Sequence, residues 1–481
     1  MDNIKVSEDS EEKTSFRLII KRLWPHFLIY NSYAFTVSTL YINIIIVARI
    51  MWPIPNAFAE HAVELGILTG TSIYIIAVSG ILFGALADRI SRIKLMAFVE
   101  FLYGFGLFFN GFAPQNQGQI TYYYFLFFSL IRGFSIGGIW PLITSHVNDS
   151  TEDKERSQFF GAMQGLYQLF QIIGMVVSAF LFQTNFWRHY FTCTGLLALV
   201  FGSMILIKGK EPKRGAMRKE LKDVLLRDDL VYEYRLTKET IRSTVFSPTN
   251  LIAFFEGIFT AILLAVPDFL LIAYFQSPPF NISPFVLSLF LIMFGLPGGL
   301  IGSLAFARIS DRLGKKNIKY RIYMIVFSII ILFIGFIFFF TLPVPNLTPE
   351  QGNNLIYFFS FPIFWILGII MLIGRSVLGL WNINQPPILQ EINLPEAQGK
   401  INSANQFLEA IGSGSGPIIA GAILLLFNQN FQITVFITML LGIIGGLLWL
   451  SATRWINKDV DRISTILRQR KEELKSKLKI D

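Results

Sequence analysis

Gly84-Ala-Leu-Ala-Asp88-Arg89-Ile-Ser-Arg92-Ile-Lys94 links two long apolar runs, and Ala307-Arg-Ile-Ser-Asp311-Arg312-Leu-Gly314-Lys315-Lys316 links two others. Each squeezes an acid and a basic cluster into a very short connection. Charges between two spanning segments must lie outside the hydrocarbon, so each stretch marks one side of a membrane. One copy stands in each half of the chain, which predicts a duplicated membrane architecture.

Composition agrees. The 481 residues are 53% hydrophobic, include 48 Phe, and have a mean hydropathy of +0.54. Only 15% are charged, against about 25% in soluble chains, too few to cover a soluble multidomain enzyme. The single cysteine, Cys193, excludes an internal disulfide framework and a cysteine-built metal site. The net charge of +9 would suit nucleic acid, but the basic residues concentrate in alternate links and mark topology instead. The first apolar run lacks a small-residue cleavage site and reads as a spanning helix rather than a signal peptide.

Twelve spanning segments are expected, at 26–51, 66–87, 95–113, 121–146, 159–183 and 189–207, then at 250–275, 284–307, 320–342, 357–388, 401–427 and 432–452. Links 1–2, 3–4, 7–8, 9–10 and 11–12 carry no Lys or Arg, and link 5–6 carries only Arg188. The even links hold Arg89, Arg92 and Lys94; Lys154 and Arg156; and basic runs at 208–242 and 308–321. By the positive-inside rule both termini are cytoplasmic, the protein being multi-pass in the plasma membrane. The expected organisation is a tail (1–24), a six-helix bundle (25–208), a central link (209–249), a second six-helix bundle (250–452) and a basic amphipathic tail (453–481). The central link carries an amphipathic pattern at Leu221, Val224 and Leu225. The tail repeats the idea with Ile456, Val460, Ile463 and Leu467, a face suited to anionic lipid or to a solvated helix.

Glycines four apart recur at Gly80 and Gly84, Gly161 and Gly165, Gly295 and Gly299, and Gly412 and Gly416. Such stripes let helix backbones approach closely. They fall on the second helix of each group of three, which suggests four related three-helix units. Gly133 and Gly137 in segment four share the pattern.

The charged loop and its echo resemble the signature between helices 2 and 3, and 8 and 9, of the major facilitator superfamily. Ser91 stands where Gly is usual, and Ala307 replaces the first Gly of the second copy. Arg132-Gly133 with Gly137-Gly138, Phe186-Trp187-Arg188, and Gly416-Pro417 with Gly421 also match, so the resemblance spans 24–452. Glu211-Pro212-Lys213-Arg214-Gly215 is similar to the Spinster-like branch, although the acid that branch carries in segment four is absent. The resemblance implies an all-α membrane fold of two pseudo-symmetric six-helix bundles, with helices 1, 4, 7 and 10 lining a central cavity. It also implies secondary transport by alternating access.

Intramembrane charges are few: Arg49, Glu100, Arg132, Glu256, Asp268, Arg375 and Glu409. A charge at the helix centre costs about 2.5–3.5 kcal/mol on insertion scales, so each needs a partner, water or a function. Arg132 and Arg375 lie at similar depths in corresponding helices and are candidates to hold an anionic substrate. Asn382 shares the ideal-helix face of Arg375. Trp140, Trp381, Asn382 and Asn384 are further ligand candidates, or interhelical glue. Glu256 and Asp268 are candidates for proton or ion coupling; alternatively Asp268 pairs with Arg49. Glu100 and Glu409 read as structural, and Asp149–Arg156 as a solvated link. His26, His61, His146 and His189 lack metal-ligand spacing, and no catalytic constellation, metal site or cofactor motif is present. By the resemblance, Asp88 faces the start of helix 11 near Asn402 and Ser403, and Asp311 that of helix 5 near Ser157. Asp88, Arg89, Arg92, Asp311 and Arg312 would then act as conformational gates.

The expected function is secondary transport of a small organic solute, with an anion first and a drug, amphiphile or lipid second. Partners would be that solute, the bilayer and a coupling proton or ion, with no nucleic acid, and the protein would be a monomer. A non-transporting receptor on the same scaffold is the alternative from another class.

Overall fold

The computed structural model describes residues 2–87, 89–151, 153–212 and 244–478. Asp88 and the amphipathic pattern at Leu221, Val224 and Leu225 lie outside the described residues. The first half contains α1 (Asp2–Val37), α2 (Thr39–Ile42), α3 (Ile44–Met51), α4 (Ala57–Glu60), α5 (Ala62–Ala87), α6 (Arg92–Asn110), α7 (Gln119–Ser150), α8 (Asp153–Gln183) and α9 (Trp187–Lys208). The second contains α10 (Pro248–Gln276), α11 (Pro284–Lys316), α12 (Lys319–Thr341), α13 (Pro349–Gly352), α14 (Leu355–Phe359), α15 (Pro362–Glu391), α16 (Pro395–Leu426), α17 (Phe431–Ala452) and α18 (Ile456–Leu478). No strand occurs among the described residues.

Eleven of the described helices are long and apolar enough to span a membrane. Ile20–Ile42 and Ile44–Met51 form a bent pair, and counting it as one span gives twelve. The first segment, expected as one run, therefore bends by 69°. At the bend the Asn43 amide donates to Thr39 O at 3.0 Å, a side chain intruding on the helix ladder of the kind that causes kinks. A second departure is the charged echo, which is no loop: α11 continues through Lys316, so Asp311 and Arg312 stand on its last turns.

The chain forms two compact units, Met1–Ala57 with Thr71–Tyr232, and Phe58–Gly70 with Glu233–Asp481. α5 is thus divided between them. In the first unit, α6 packs on α9 where Gly104 and Gly195 let the backbones meet, and α7 packs on α5, with Gly137 against Ile76 O. In the second, α10 packs on α16 at Gly412, and α11 on α15 at Gly298, Gly302 and Gly379. The first turns of α5 meet α16 at Gly66 and Gly70. A side chain at these glycines would collide with a carbonyl or backbone carbon of the neighbouring helix, and lipid supplies no hydrophobic drive to replace that close contact.

The stripes are not equivalent, contrary to the sequence reading. A Cβ at Gly161, Gly165 or Gly299 would meet nothing within 4 Å. On α8 the glycine that packs is Gly174, against Phe35; Gly133 and Gly137 in α7 form a packed stripe against α5. The tail helix α18 buries Ile456 and Ile463. Its Asp459 accepts from Thr249 N at 3.2 Å and from the Thr249 hydroxyl at 2.6 Å. That acid sits at the N-terminus of α10, where the helix dipole favours negative charge.

Candidate functional site

The first charged motif builds a hub at the start of α6. Arg92 is 1% exposed. Its guanidinium donates to Asp149 at 2.5 Å, to Ser145 O at 3.0 Å, to Glu211 at 2.8 Å and to Pro212 O at 3.2 Å. Glu211 in turn accepts from the Ser91 hydroxyl at 2.7 Å and from Ile93 N at 3.1 Å. Burial pushes the Glu211 carboxyl upward, but Arg92, the Ile93 amide and the Ser91 hydroxyl outweigh it and hold it at about 2. The α6 start, the α7 end and the chain leaving α9 are thereby tied together. Asp149, read in sequence as part of a solvated link, belongs to this hub. Arg89 is exposed.

The second unit repeats the hub with a different residue. Arg321, in the first turn of α12 and 6% exposed, donates to Asp311 at 3.2 Å and to Asn384 at 3.3 Å. The Ser310 hydroxyl also donates to Asn384, at 2.5 Å. Arg312, expected in this role, is exposed. Asn384, a ligand candidate in sequence, is 0% exposed and committed to these bonds. The helical extension of α11 explains the substitution, because it turns Asp311 toward the next helix and leaves Arg312 on the outer side.

The two intramembrane arginines do not share an environment. Arg132 on α7 is buried against Gly106 of α6, donates to Ser129 at 2.9 Å and stands 6.0 Å from the centre of the Phe191 ring. Its Nε has no hydrogen-bond partner. Glu100, on the same α6 and 0% exposed, accepts from the Ser32 hydroxyl at 2.7 Å. Arg375 stands near the middle of α15 and pairs with Asp268 of α10 at 3.2 Å, with side-chain exposures of 40% and 54%. Asp268 therefore has Arg375 as an ion-pair partner, where the alternative sequence reading had offered Arg49. Asn382 is exposed on the same helix as Arg375.

Trp140 is 47% exposed and belongs to an aromatic group on the first unit. Its ring lies 5.6 Å from Tyr30 and 5.7 Å from Phe160, and Tyr167 lies 4.9 Å from Tyr30 and 6.0 Å from Tyr33.

A polar cluster surrounds Glu256 in the second unit. Glu256 is 0% exposed and accepts from the Thr260 hydroxyl, while its Oε2 has no partner. Glu409, on α16, accepts from Gln385 at 2.8 Å and from Asn405 at 2.6 Å. Gly257 lets α16 approach, since a Cβ there would stand 3.0 Å from Glu409 Cγ. Trp449 lies one turn beyond Gly445, which packs on Thr260, and Trp381 one turn before Gln385; neither indole Nε1 has a hydrogen-bond partner. Sequence reading singled out Glu256 and Trp381 separately; Asn405, Gln385 and Trp449 carried no signal, because Asn, Gln and Trp are common interhelical residues.

At the loop end of the first unit, His26 Nε2 and His146 Nδ1 are 3.1 Å apart, both residues 1% exposed. Among the described residues no three His, Cys, Asp or Glu side chains are grouped to hold a metal ion.

No curated protein sequence matches the chain. Solved structures with the same fold include an inward-facing, unoccupied bacterial homologue of the human lysosomal transporter Spinster, 16% identical over 92% of this chain and 98% of that one, with a TM-score of 0.64. A D-xylose-proton symporter is 17% identical over 91% and 97%, with a TM-score of 0.58. A POT family transporter is 11% identical over 91% and 98%, with a TM-score of 0.64. The Major Facilitator Superfamily signature matches residues 32–417, and the chain belongs to that superfamily.

Proposed function

We propose that this protein is a secondary active transporter of a small organic anion, working by alternating access and driven by an ion gradient. The Arg375–Asp268 pair carries this reading. Both groups lie well inside spanning helices and both are about half exposed. Hydrocarbon does not tolerate such charges, so the face that bears them is one water can reach. An exposed ion pair contributes little, typically 0–1 kcal/mol, so an incoming carboxylate or phosphate can displace Asp268 and take the guanidinium by two parallel hydrogen bonds. The released Asp268 then favours a co-transported cation or proton.

The aromatic group around Trp140 supports a solute with an apolar or aromatic body, which also fits the second reading, export of a drug or amphiphile. The likeness to transporters named for xylose, nucleosides and Spinster supports transport without choosing a cargo. The test is a thermal-shift screen of organic anions on the purified protein, repeated with Arg375→Ala and Asp268→Asn. Arg375→Ala is expected to weaken an anionic hit at least tenfold, about 1.4 kcal/mol, and Asp268→Asn to strengthen it. Equal stabilisation of parent and Arg375→Ala would sink the anion reading. Binding without counterflow across vesicles would favour a receptor.

A further inference from the structure

We propose that His26 and His146 share a single proton between their facing ring nitrogens, and that this proton holds the chain leaving α9 against the first unit. Three contacts run in line. His26 Nδ1 lies 3.2 Å from Leu23 O, His26 Nε2 lies 3.1 Å from His146 Nδ1, and His146 Nε2 lies 3.0 Å from Lys210 O. Both ends of the line are carbonyl oxygens, which only accept. Three hydrogen bonds need three hydrogens, and two neutral imidazoles carry two. Ser150 does not supply the third, because its hydroxyl donates to His146 O at 2.8 Å. One added proton, bound between Nε2 and Nδ1, satisfies the whole line. A metal ion does not fit: structural zinc takes four ligands, and among the described residues no three candidate side chains are grouped.

The surroundings can carry the charge. Both histidines are 1% exposed, where an isolated imidazolium would be costly. The Arg92 hub adjoins them: Asp149 follows His146 by one turn of α7, and Glu211 is the residue after Lys210. Arg92 answers one of these two carboxylates, and the shared proton balances the charge left over. Among the other charged groups, α1 brings Lys21 and Arg22, both exposed, and α8 brings Glu155, which pairs with Arg22 at 3.4 Å. α8 also brings Arg156, which donates to Asn148 O and Thr151 O, and the Phe159 ring, 6.4 Å from His26. Lys208 and Lys210 are exposed. Without the proton, one of the three contacts must fail. His26 and His146 are fixed on helices packed among Phe27, Val147 and Phe159. Lys210 lies on extended chain beyond α9, so its contact is the one that yields. The pair therefore reads pH on the side of the membrane that carries the basic links, and the chain after α9 loosens as pH rises. This holds whatever solute the protein carries.

The test is nitrogen NMR of the full-length protein with isotope-labelled histidine, from about pH 5 to about pH 8. The chain has 4 histidines, and His61→Gln with His189→Gln leaves only the pair. At acid pH the two outer nitrogens should be protonated and the two inner ones should resonate midway between protonated and bare. One proton should leave the pair in a single step as pH rises. A spin label at Lys210→Cys, in a Cys193→Ser background, reports the chain, since the Lys210 side chain is exposed and only its carbonyl is used. The label should be immobile at acid pH and gain mobility through the same step. Two single variants should then act in opposite senses. His26→Leu leaves His146 able to donate to Lys210 O as a neutral ring, so the label should stay immobile at every pH. His146→Leu removes the donor, so the label should be mobile at every pH. A merely structural pair would loosen the chain in both. Two neutral rings throughout the range, a pair that stays charged throughout, or a parent label indifferent to pH would each overturn the proposal, even if a variant failed to fold.

Discussion

Glu211 shows how strongly one surface-facing residue can be held. Its carboxyl serves Arg92, Ser91 and the Ile93 amide together. The folded value of about 2 lies below the free value of 4.5. Its contribution is therefore fully present above pH 4.5 and is lost as pH falls through about 2. The side chain is 34% exposed, so solvent screening limits the contribution to about 1–2 kcal/mol. Glu211→Gln is expected to lower stability by that amount at neutral pH and to flatten the acid limb between pH 4.5 and 2, as followed by thermal unfolding across pH. A parallel, unflattened limb would remove the hub's electrostatic role. Arg92 was legible from its motif. Its partners were not, because Asp149 and Glu211 lie 57 and 119 residues away and nothing local marks the pairing. Arg321 escaped for another reason: the repeat was aligned on the motif's own arginine, while the equivalent position is the first turn of the next helix.

At the level of the helix, a glycine's worth depends on what faces it. Gly412 meets Ile258 O, so Gly412→Val must separate α10 from α16. The expected cost is about 3 kcal/mol or more, from overpacking plus an opened backbone contact. Gly161→Ala faces open space and is expected to change stability by no more than about 1 kcal/mol, in the favourable direction that helix propensity gives. Thermal unfolding of the two variants in the same detergent checks both, and equal losses would refute the distinction. Sequence periodicity located these helices well, since an apolar run must be nearly as long as the hydrocarbon is thick. It could not separate packed stripes from open ones, because spacing records which glycines share a face and not what that face meets. Nor could it foresee the bend at Asn43, which depends on a side chain turning back on Thr39.

For the molecule as a whole, the alternation of Lys and Arg between links decided the count of spans, and the bent first pair preserves that count. The same rule orients the chain. In a Cys193→Ser background, Gln115→Cys and Asn346→Cys are expected to react with an impermeant maleimide on intact cells. Asn317→Cys and Asn457→Cys should react only after permeabilisation, and the reverse pattern would invert the topology. The division of α5 between the two compact units was not legible, because its sequence is apolar along nearly its whole length. The Arg92 hub adds a dimension of time. Glu211 follows Arg92 by 119 residues, which at roughly 5–20 residues per second is a delay of about 6–24 s during synthesis. A nascent chain that ends at Lys208 holds Arg92 with Asp149 and Ser145 alone, and one that reaches Pro212 supplies the remaining acceptors. The ribosome thus supplies the last partner of the Arg92 hub four residues after α9 ends, before α10 has been made.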